Sequence, residues 1–373
     1  MSDVPDDQRP LEGDDVPVPF DGEPAAAVVP RQARHGRRRS RRRPWVWVGV
    51  VAAIVLLGLV SWYEVSSHPF GGPGRRVTLE ISTGESYSGA VSSFERAGVI
   101  SDALAFKVYS AIHGAPTVLP GFYTAPTNST FGYVHALLST GPNTMAIKVP
   151  PGFTLQEVAN RLNATVNAQF ADTFAGLLRS GAVRSPYEPA GTTNLEGLIG
   201  PGTYLITPAT TPQALLASMV SRFSVMARAA GLPPDATPTA MAPYTVITIA
   251  SVVEKEGYYV KNMPQVATVI YNRLAKGMPL QMDSTVLYAL GQDGGPVTAQ
   301  TLKYQSPYNT YLHTGLPPTP ICTVSSSALN AALHPPTGTW LYFTLVSKDG
   351  TMAFANTFQE QLKNEALAAS RGL

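Results

Sequence analysis

The chain has a single cysteine, Cys322, among its 373 residues, and this scarcity excludes several classes of protein. A lone cysteine builds neither an internal disulfide framework nor a cysteine-based metal site. We therefore interpret Cys322 as a small packed residue rather than a nucleophile. The six histidines are scattered and lack the H-x-x-x-H spacing of a zinc-binding helix. We expect no metal and no other cofactor.

Charge is also scarce, at 14% of residues, and it is unevenly distributed. Residues 1–30 are acidic and proline-rich, whereas residues 31–43 contain eight arginines. Such a segment buries too little apolar surface to fold, so we predict that residues 1–43 form a disordered tail in the cytoplasm. An arginine run can bind nucleic acid, but the apolar segment that follows favours a membrane instead, and we expect no nucleic-acid partner.

Charged residues are missing altogether from Trp45 to Trp62. Residues 44–64 supply about the 20 residues that cross a hydrocarbon core, and aromatic residues stand at both ends of the segment. The segment lies too far from the N-terminus for a cleaved signal peptide. We predict a transmembrane helix, with the arginine-rich side in the cytoplasm and residues 65–373 outside the cell membrane.

After the predicted anchor, the pattern indicates an α+β protein in two parts. Residues 65–76 are rich in glycine and proline and read as a linker that holds the first folded element off the bilayer. In residues 77–149, short strands alternate with helices, and a strand–turn–helix unit occurs twice, the second copy running past residue 149. This small α+β module resembles LysM-type glycan-binding domains, and a purely structural spacer is the alternative. Residues 150–373 are expected to form a mixed α+β catalytic domain.

The stretch from Tyr244 to Gly291 holds two glutamates near the end of a predicted helix. Glu254 follows Ile247 by seven positions, which puts both residues on the buried stripe. Glu256 is turned roughly 200° away and is expected to face water. A carboxylate on an apolar face either finds a partner or has its pKa raised, because burial disfavours the ionised form. A carboxylic acid with a raised pKa is the proton donor that glycosidic cleavage needs, so Glu254 is the candidate acid.

Polar side chains after this helix are further candidates for a binding site. Asp283 is placed to cap a helix over residues 284–290, and capping explains it as well as substrate binding does. Gln281 has no such local role and is the better candidate for a hydrogen bond to substrate. The loop Tyr304–Pro320 suits sugar stacking, although packing of a proline-rich loop explains its aromatic residues equally. Glu196, in a glycine-rich loop upstream, is interpreted as structural.

Several segments together resemble the MltG/YceG-like endolytic murein transglycosylases, over roughly residues 45–365. Their order along the chain is more specific than any one of them. The segments are EGLIGPGTY (Glu196–Tyr204, with Ile199 where the family has leucine), ASVVEKE (Ala250–Glu256), the stretch Val269–Gly291, SPYNTYLHTGLPPTPI (Ser306–Ile321) and the C-terminal hairpin.

The resemblance implies cleavage of peptidoglycan between N-acetylmuramic acid and N-acetylglucosamine within glycan strands, leaving 1,6-anhydro ends and ending strand elongation. The implied partners are glycan strands, the cell membrane and cell-wall synthases. The catalytic glutamate implied by the resemblance is Glu254. The residues that would position the sugar and its N-acetyl groups are Gln281, Asp283, Asn272, Tyr308 and Asn309.

The last hairpin departs from the family pattern. Met352 stands where the family usually has a histidine, and Gln361 replaces a later one. If the first histidine assists catalysis, the protein is slow, differently specific or inactive. The alternative function is a non-catalytic peptidoglycan-binding scaffold that recruits cell-wall synthases. A hydrolase that uses water and both glutamates is a third hypothesis, which the predicted helical phase disfavours.

Overall fold

The computed structural model describes residues 44–235 and 241–373. The tail for which we predict disorder, residues 1–43, lies outside the described residues, as do residues 236–240 of the connection into the central stretch. The chain divides between Gly58 and Leu59 into two compact units. The first contains the beginning of the N-terminal helix, and the second contains the remainder of that helix and all later elements.

Helix α1 spans Pro44–Ser67 and is apolar on all sides. Its 24 residues extend roughly 36 Å, more than the roughly 30 Å of a hydrocarbon core. The segment Trp45–Ser67 has a mean hydropathy of 2.2, and large apolar side chains from Trp45 to Trp62 are exposed. Within residues 44–235 and 241–373, α1 alone is long and apolar enough to cross a membrane. It is therefore a candidate anchor, and it ends three residues later than we predicted.

The predicted linker, residues 65–76, contacts the first folded element. Its first three residues belong to α1, and the Ser101 hydroxyl donates to the Ser66 carbonyl at 2.9 Å. The Asn128 amide donates to the carbonyls of Phe70 and Gly72 at 2.8 and 2.9 Å. These hydrogen bonds fix the segment against the first folded element, and its role of holding that element off the bilayer stays a prediction.

The first hydrophobic core lies within residues 76–140. Strand β1 (Arg76–Ile81) pairs antiparallel with β2 (Gly121–Pro126), and helices α2 (Tyr87–Arg96), α3 (Ala103–His113) and α4 (Phe131–Thr140) complete this part. Each of the three helices begins after a side-chain cap, as the short polar residues in those positions favour. The largest buried side chains include Phe94, Phe106, Tyr123 and Phe131.

The second core begins with β3 (Met145–Val149), which pairs antiparallel with β4 (Gly202–Ile206). Because Ile147 and Val149 are buried in this second core, the strand packs with the larger part of the chain, whereas we predicted that it closes the small module at residue 149. Helices α5 (Leu155–Thr165), α6 (Ala168–Leu177) and α7 (Pro212–Ala229) follow.

Helix α8 (Pro243–Glu256) runs through the centre of the second core. Every residue from Val246 to Val253 is buried, so the middle of the helix is covered on all sides. In the last turn, polar side chains emerge at Glu254, Lys255 and Glu256. Gly257 ends the helix, as its sequence position predicts.

The remaining elements surround α8. They are α9 (Met263–Ala275), α10 (Asp283–Ala289), α11 (Ser326–Leu333), the antiparallel hairpin of β5 (Tyr342–Leu345) and β6 (Met352–Ala355), and α12 (Phe358–Ser370). Helix α10 starts at Asp283 itself, with Met282 in the capping position, so the predicted capping role of Asp283 is wrong. The predicted mixture of helices and strands is confirmed. The likeness of the first part to a LysM domain stays a prediction.

Candidate active site

Two adjoining cavities open beside the last turn of α8. The smaller holds about 310 Å³ and is lined by Glu256, Tyr258, Asp283 and Ser284 among others. The larger holds about 610 Å³. The two share four lining residues and therefore adjoin each other. The shared residues are Thr154, Tyr288, Gln292 and Asp293.

Glu256 lies on the wall of the smaller cavity and is partly buried, so the expectation that it faces water is wrong. Its Oε1 atom accepts hydrogen bonds from the Ser284 backbone N–H at 3.1 Å and from the Ser284 hydroxyl at 2.6 Å. Burial raises the pKa of the Glu256 carboxyl, and the hydrogen bonds from Ser284 partly oppose this rise, while the charge of Asp283 adds to it.

Glu254 is also partly buried, and its carboxylate lies beside α11. Oε2 of Glu254 accepts the backbone N–H of Ser325 at 2.8 Å. Ser325 in turn caps α11 by accepting the N–H of Ala328 at 3.1 Å. The Glu254 carboxylate thus has a hydrogen-bond partner in the backbone of Ser325. It lines neither of the two cavities.

Gln281 and Asp283 lie on the segment that leads into α10, and both are exposed. Asp283 lines the smaller cavity, and its Oδ1 accepts the hydroxyl of Tyr311 at 2.6 Å. Burial and the neighbouring Asp283 carboxylate raise the pKa of Tyr311. Gln281 has a positive φ of 49°, and its backbone N–H donates to the Thr310 carbonyl at 3.0 Å. Its side chain remains available for a substrate.

Tyr308 lines the larger cavity, as a substrate-contacting residue would. Its hydroxyl lies 2.9 Å from that of Thr319, and its ring centroid lies 4.9 Å from that of Tyr288. The Tyr288 hydroxyl donates to Oε2 of Glu196 at 3.2 Å. Two aromatic rings and a carboxyl thus form one side of this cavity.

Glu196 is 5% exposed and accepts the Leu155 backbone N–H at 3.2 Å, at the first turn of α5. Burial raises the pKa of Glu196 to about 7, against the hydrogen bonds from Leu155 and Tyr288. The residue after it, Gly197, has a φ of 74°, and a Cβ there would lie 2.3 Å from the Cβ of Pro320. The Glu196 carboxyl therefore has the structural contacts we expected, and it also lines the larger cavity.

A chain of charges crosses the boundary between the two cavities. Lys255 Nζ lies 2.7 Å from Oδ1 of Asp293, in the glycine-rich loop after α10. The hydrogen bond from Lys255 lowers the pKa of Asp293. Glu157, in the first turn of α5, interacts with Asp293, and burial raises its pKa. This chain connects the end of α8 to the loop that forms part of both cavity walls.

Asn272 and Asn309 lie away from both cavities. The Asn272 amide donates to the carbonyls of Gly338 and Trp340 at 3.0 and 2.9 Å. Asn309 is fully buried, and its amide donates to the carbonyls of Leu302 and Tyr304 at 2.9 and 2.8 Å. Both side chains thus bind backbone carbonyls of neighbouring segments. Their contact with substrate stays a prediction.

The two positions that depart from the family pattern pack at the hairpin. Met352 is partly buried against the second core. Gln361 is buried, and its amide donates to the Thr344 hydroxyl at 2.5 Å and to the Glu365 carboxylate at 3.0 Å. Cys322 is fully buried, as we predicted, with Sγ 3.3 Å from the Ser251 carbonyl oxygen.

A family model described as the YceG-like family matches residues 79–366. The chain belongs to this YceG-like family. The endolytic murein transglycosylase of Bacillus subtilis (strain 168) is 30% identical over 310 residues, which cover 77% of this chain and 83% of that protein. The endolytic murein transglycosylase of Streptococcus pneumoniae serotype 2 (strain D39) is 28% identical over 78% of this chain and 58% of its own length.

A crystal structure of a yceG-like protein from Listeria monocytogenes has the same fold. It is 28% identical, with a TM-score of 0.52, and the match covers 78% of this chain and 99% of that one. The family and the enzyme class that the sequence predicted, a lytic transglycosylase, are thereby confirmed.

Sequence reasoning did not single out several residues of this site, among them Ser284, Tyr258 and Tyr288. Ser284 and Tyr288 lie within the family-like stretch Val269–Gly291, but the roles of all three depend on which chain segments meet at the end of α8. A usable signal existed for Tyr258 and Tyr288, since each is an aromatic residue a few positions from a polar candidate. For Ser284, the hydrogen bond spans 28 residues and has no local signature.

Proposed function

We propose that this protein is a membrane-anchored endolytic transglycosylase that cleaves the bond between N-acetylmuramic acid and N-acetylglucosamine within peptidoglycan strands. The observation that carries the proposal is the Glu256 carboxyl, which has a raised pKa and lies on the wall of the smaller of two adjoining cavities. A protonated carboxyl in such a place is the donor that an oxygen leaving group requires. The relatives named above support the substrate.

The proposed reaction needs one carboxyl. The acid gives its proton to the glycosidic oxygen as the bond from C1 to that oxygen breaks, and positive charge develops on the sugar ring. The C6 hydroxyl of the same sugar then bonds to C1, and its proton passes to the carboxylate. The product is a 1,6-anhydro end, no water is consumed, and the carboxyl returns to its protonated form.

Two carboxyls are candidates for this acid, and the geometry favours Glu256. Glu256 borders the cavity, whereas Glu254, the residue predicted from the sequence, contacts the backbone of Ser325 and lies outside both cavities. Asp283 lines the same cavity as Glu256, and Asp283 and the exposed Gln281 suit hydroxyl and N-acetyl groups, while Tyr308 suits a sugar in the larger cavity.

The test is digestion of purified sacculi by the full chain, with mass spectrometry of the products. We expect anhydro-muropeptides from the wild type and from the Bacillus subtilis relative as a positive control. Glu256→Gln should lower the yield by roughly a hundredfold to ten-thousandfold, the range for loss of a general acid. Products that carry only reducing ends would replace this proposal with hydrolysis by water.

The anchoring and cellular role belong to the same proposal. The length and hydropathy of α1 support insertion in the cell membrane, with residues 65–373 outside. There the enzyme would end growing glycan strands beside cell-wall synthases. Labelling of single introduced cysteines with a membrane-impermeant maleimide tests the orientation. A cysteine introduced at an exposed position such as Val225 should be labelled in intact cells. Labelling that occurs only in lysed cells would contradict the proposed orientation.

Met352 is the observation that favours the second candidate function, a peptidoglycan-binding scaffold without catalysis. If the double variant Glu254→Gln, Glu256→Gln restores function to a cell whose own gene has been deleted, the scaffold is supported. Loss of function in that double variant, with normal protein levels, would support the enzyme.

A further inference from the structure

We propose that Tyr258 is a stacking platform for a pyranose ring of the glycan, in the cavity that holds Glu256. This inference rests on the proposed function for its choice of ligand. Its evidence is separate from the carboxyls, and consists of the exposure of Tyr258, its backbone conformation and the way its neighbours are fixed.

Tyr258 is an aromatic side chain that the fold leaves open. It is 75% exposed and lines the smaller cavity with Glu256 and Asp283. Its burial contributes little to the core, so the folded state gains little from an aromatic ring at this position. A large exposed ring beside a polar cavity is available to a ligand.

The backbone at Tyr258 adopts a conformation that a bulky residue disfavours. Its φ is 49°, in the left-handed region where glycine is usual. The positions before and after it, Gly257 and Tyr259, carry no positive φ. A strained, non-glycine residue at a cavity wall persists only where its surroundings hold it, and such residues cluster at binding sites.

The neighbours of Tyr258 supply that support through the β5–β6 hairpin. The Tyr259 ring lies directly against Gly350, where an added Cβ would come within 2.0 Å of two ring carbons. Lys261 lies over the same ring at 5.7 Å and donates to the Asp349 carbonyl at 3.3 Å. The buried Asn262 amide donates to the Gly350 carbonyl at 2.9 Å. These contacts fix the turn and leave Tyr258 directed away from the core.

The ligand class follows from the shape and polarity of the cavity. A pyranose ring presents an apolar face of C–H groups and an edge of hydroxyl groups. The Tyr258 ring can cover the apolar face, while Asp283 and the Glu256 carboxyl meet the polar edge. Because the neighbouring residues hold the backbone at Tyr258, little backbone freedom is lost when the sugar arrives.

The experiment compares full-length variants at Tyr258 on glycan strands freed of stem peptides. Equilibrium binding is measured in a Glu254→Gln, Glu256→Gln background, and KM and kcat are measured in the otherwise unchanged chain. Tyr258→Ala and Tyr258→Gly should raise Kd and KM roughly two- to tenfold with kcat nearly unchanged, the effect of losing one aromatic contact. Tyr258→Phe, which keeps the ring, should match the wild type.

Two further measurements distinguish a binding role from a structural one. Tyr258→Gly relieves the positive φ, so its melting temperature should equal or exceed that of the wild type while its binding weakens. The matched control is Phe358→Ala, since Phe358 is an exposed aromatic residue of α12 that lines neither of the two cavities. It should bind as the wild type does.

Each outcome is decisive for Tyr258. Unchanged Kd and KM in Tyr258→Ala, or equal weakening in Tyr258→Phe, would overturn the stacking role, and so would a Glu254→Gln, Glu256→Gln background that does not bind the strands. If this background binds strands but the wild type yields no anhydro ends, the proposed function fails, and weaker binding after Tyr258→Ala would still establish the platform.

Discussion

Ser284 donates both its backbone N–H and its hydroxyl to the same oxygen of Glu256, at 3.1 and 2.6 Å. Both bonds stabilise the ionised carboxylate and so lower its pKa, against the larger effect of burial, which raises it. If Glu256 is the acid, it must be protonated to act. Ser284 then limits how far into the basic range the enzyme remains active.

Ser284→Ala removes one of these donors, so the pKa of Glu256 should rise further. The basic limb of the pH profile of kcat/KM, measured on glycan strands, should therefore move to higher pH. Ser284→Thr keeps the hydroxyl and serves as the control, with a profile close to the wild type. A basic limb that stays in place in Ser284→Ala would show that another group titrates in that limb.

Glu196 should make the stability of the protein depend on pH. Its folded pKa of about 7 exceeds the value of about 4.5 for an ordinary glutamate, so the native state binds the proton more tightly. The stability that this group contributes is fully present below about pH 4.5 and is lost as pH rises towards 7. Its size is on the order of 3 kcal/mol in the free energy of unfolding.

Glu196→Gln mimics the protonated acid and can keep the contacts with Leu155 and Tyr288. Urea unfolding at pH 5 and pH 8 should show a smaller loss of stability in the variant than in the wild type. Glu188→Gln is a control for the removal of a carboxylate elsewhere in the fold. An equal pH dependence in Glu196→Gln and the wild type would contradict a raised pKa.

Much of the fold follows from local sequence patterns, and the site does so only in part. Helix α8, its glycine end and the hairpin after Trp340 are where periodicity and turn residues put them. Periodicity alone does not decide between Glu254 and Glu256, for a physical reason. All residues of α8 from Val246 to Val253 are buried, so the helix has no single buried stripe from which to judge its last turn.

The cavities depend on contacts that no local pattern contains. Glu196 meets Leu155 across 41 positions of the chain and Tyr288 across 92. The close packing of Gly197 on Pro320 brings the family's EGLIGPGTY loop to this place. The sequence therefore indicated which segments matter, through their family order, and it could not indicate which side chains face the same cavity.

Lys255 should hold the glycine-rich loop after α10 through its contact with Asp293. Lys255→Met removes the charge, so the loop at Gly294 and Gly295 should be cleaved faster in limited proteolysis, and KM should rise because the loop forms part of the cavity wall. Asp293→Asn should have a similar effect. The double variant should be little worse than either single one, and additive effects would mean that the two residues act independently.

Glu254 and Glu256 can be separated by variants that preserve shape. In Glu254→Gln the side chain still accepts the Ser325 N–H. In Glu254→Ala that donor loses its partner, which should lower the free energy of unfolding by about 1–2 kcal/mol. If Glu254 supports α11 only, Glu254→Gln stays stable and active, Glu254→Ala loses stability, and Glu256→Gln loses activity. Urea unfolding and anhydro-muropeptide yield measure the two properties separately. A stable but inactive Glu254→Gln, beside an active Glu256→Gln, would return the role of the acid to Glu254, the residue predicted from the sequence. Glutamine keeps the shape of the side chain but has no acidic proton, so the loss of activity would then have a chemical cause.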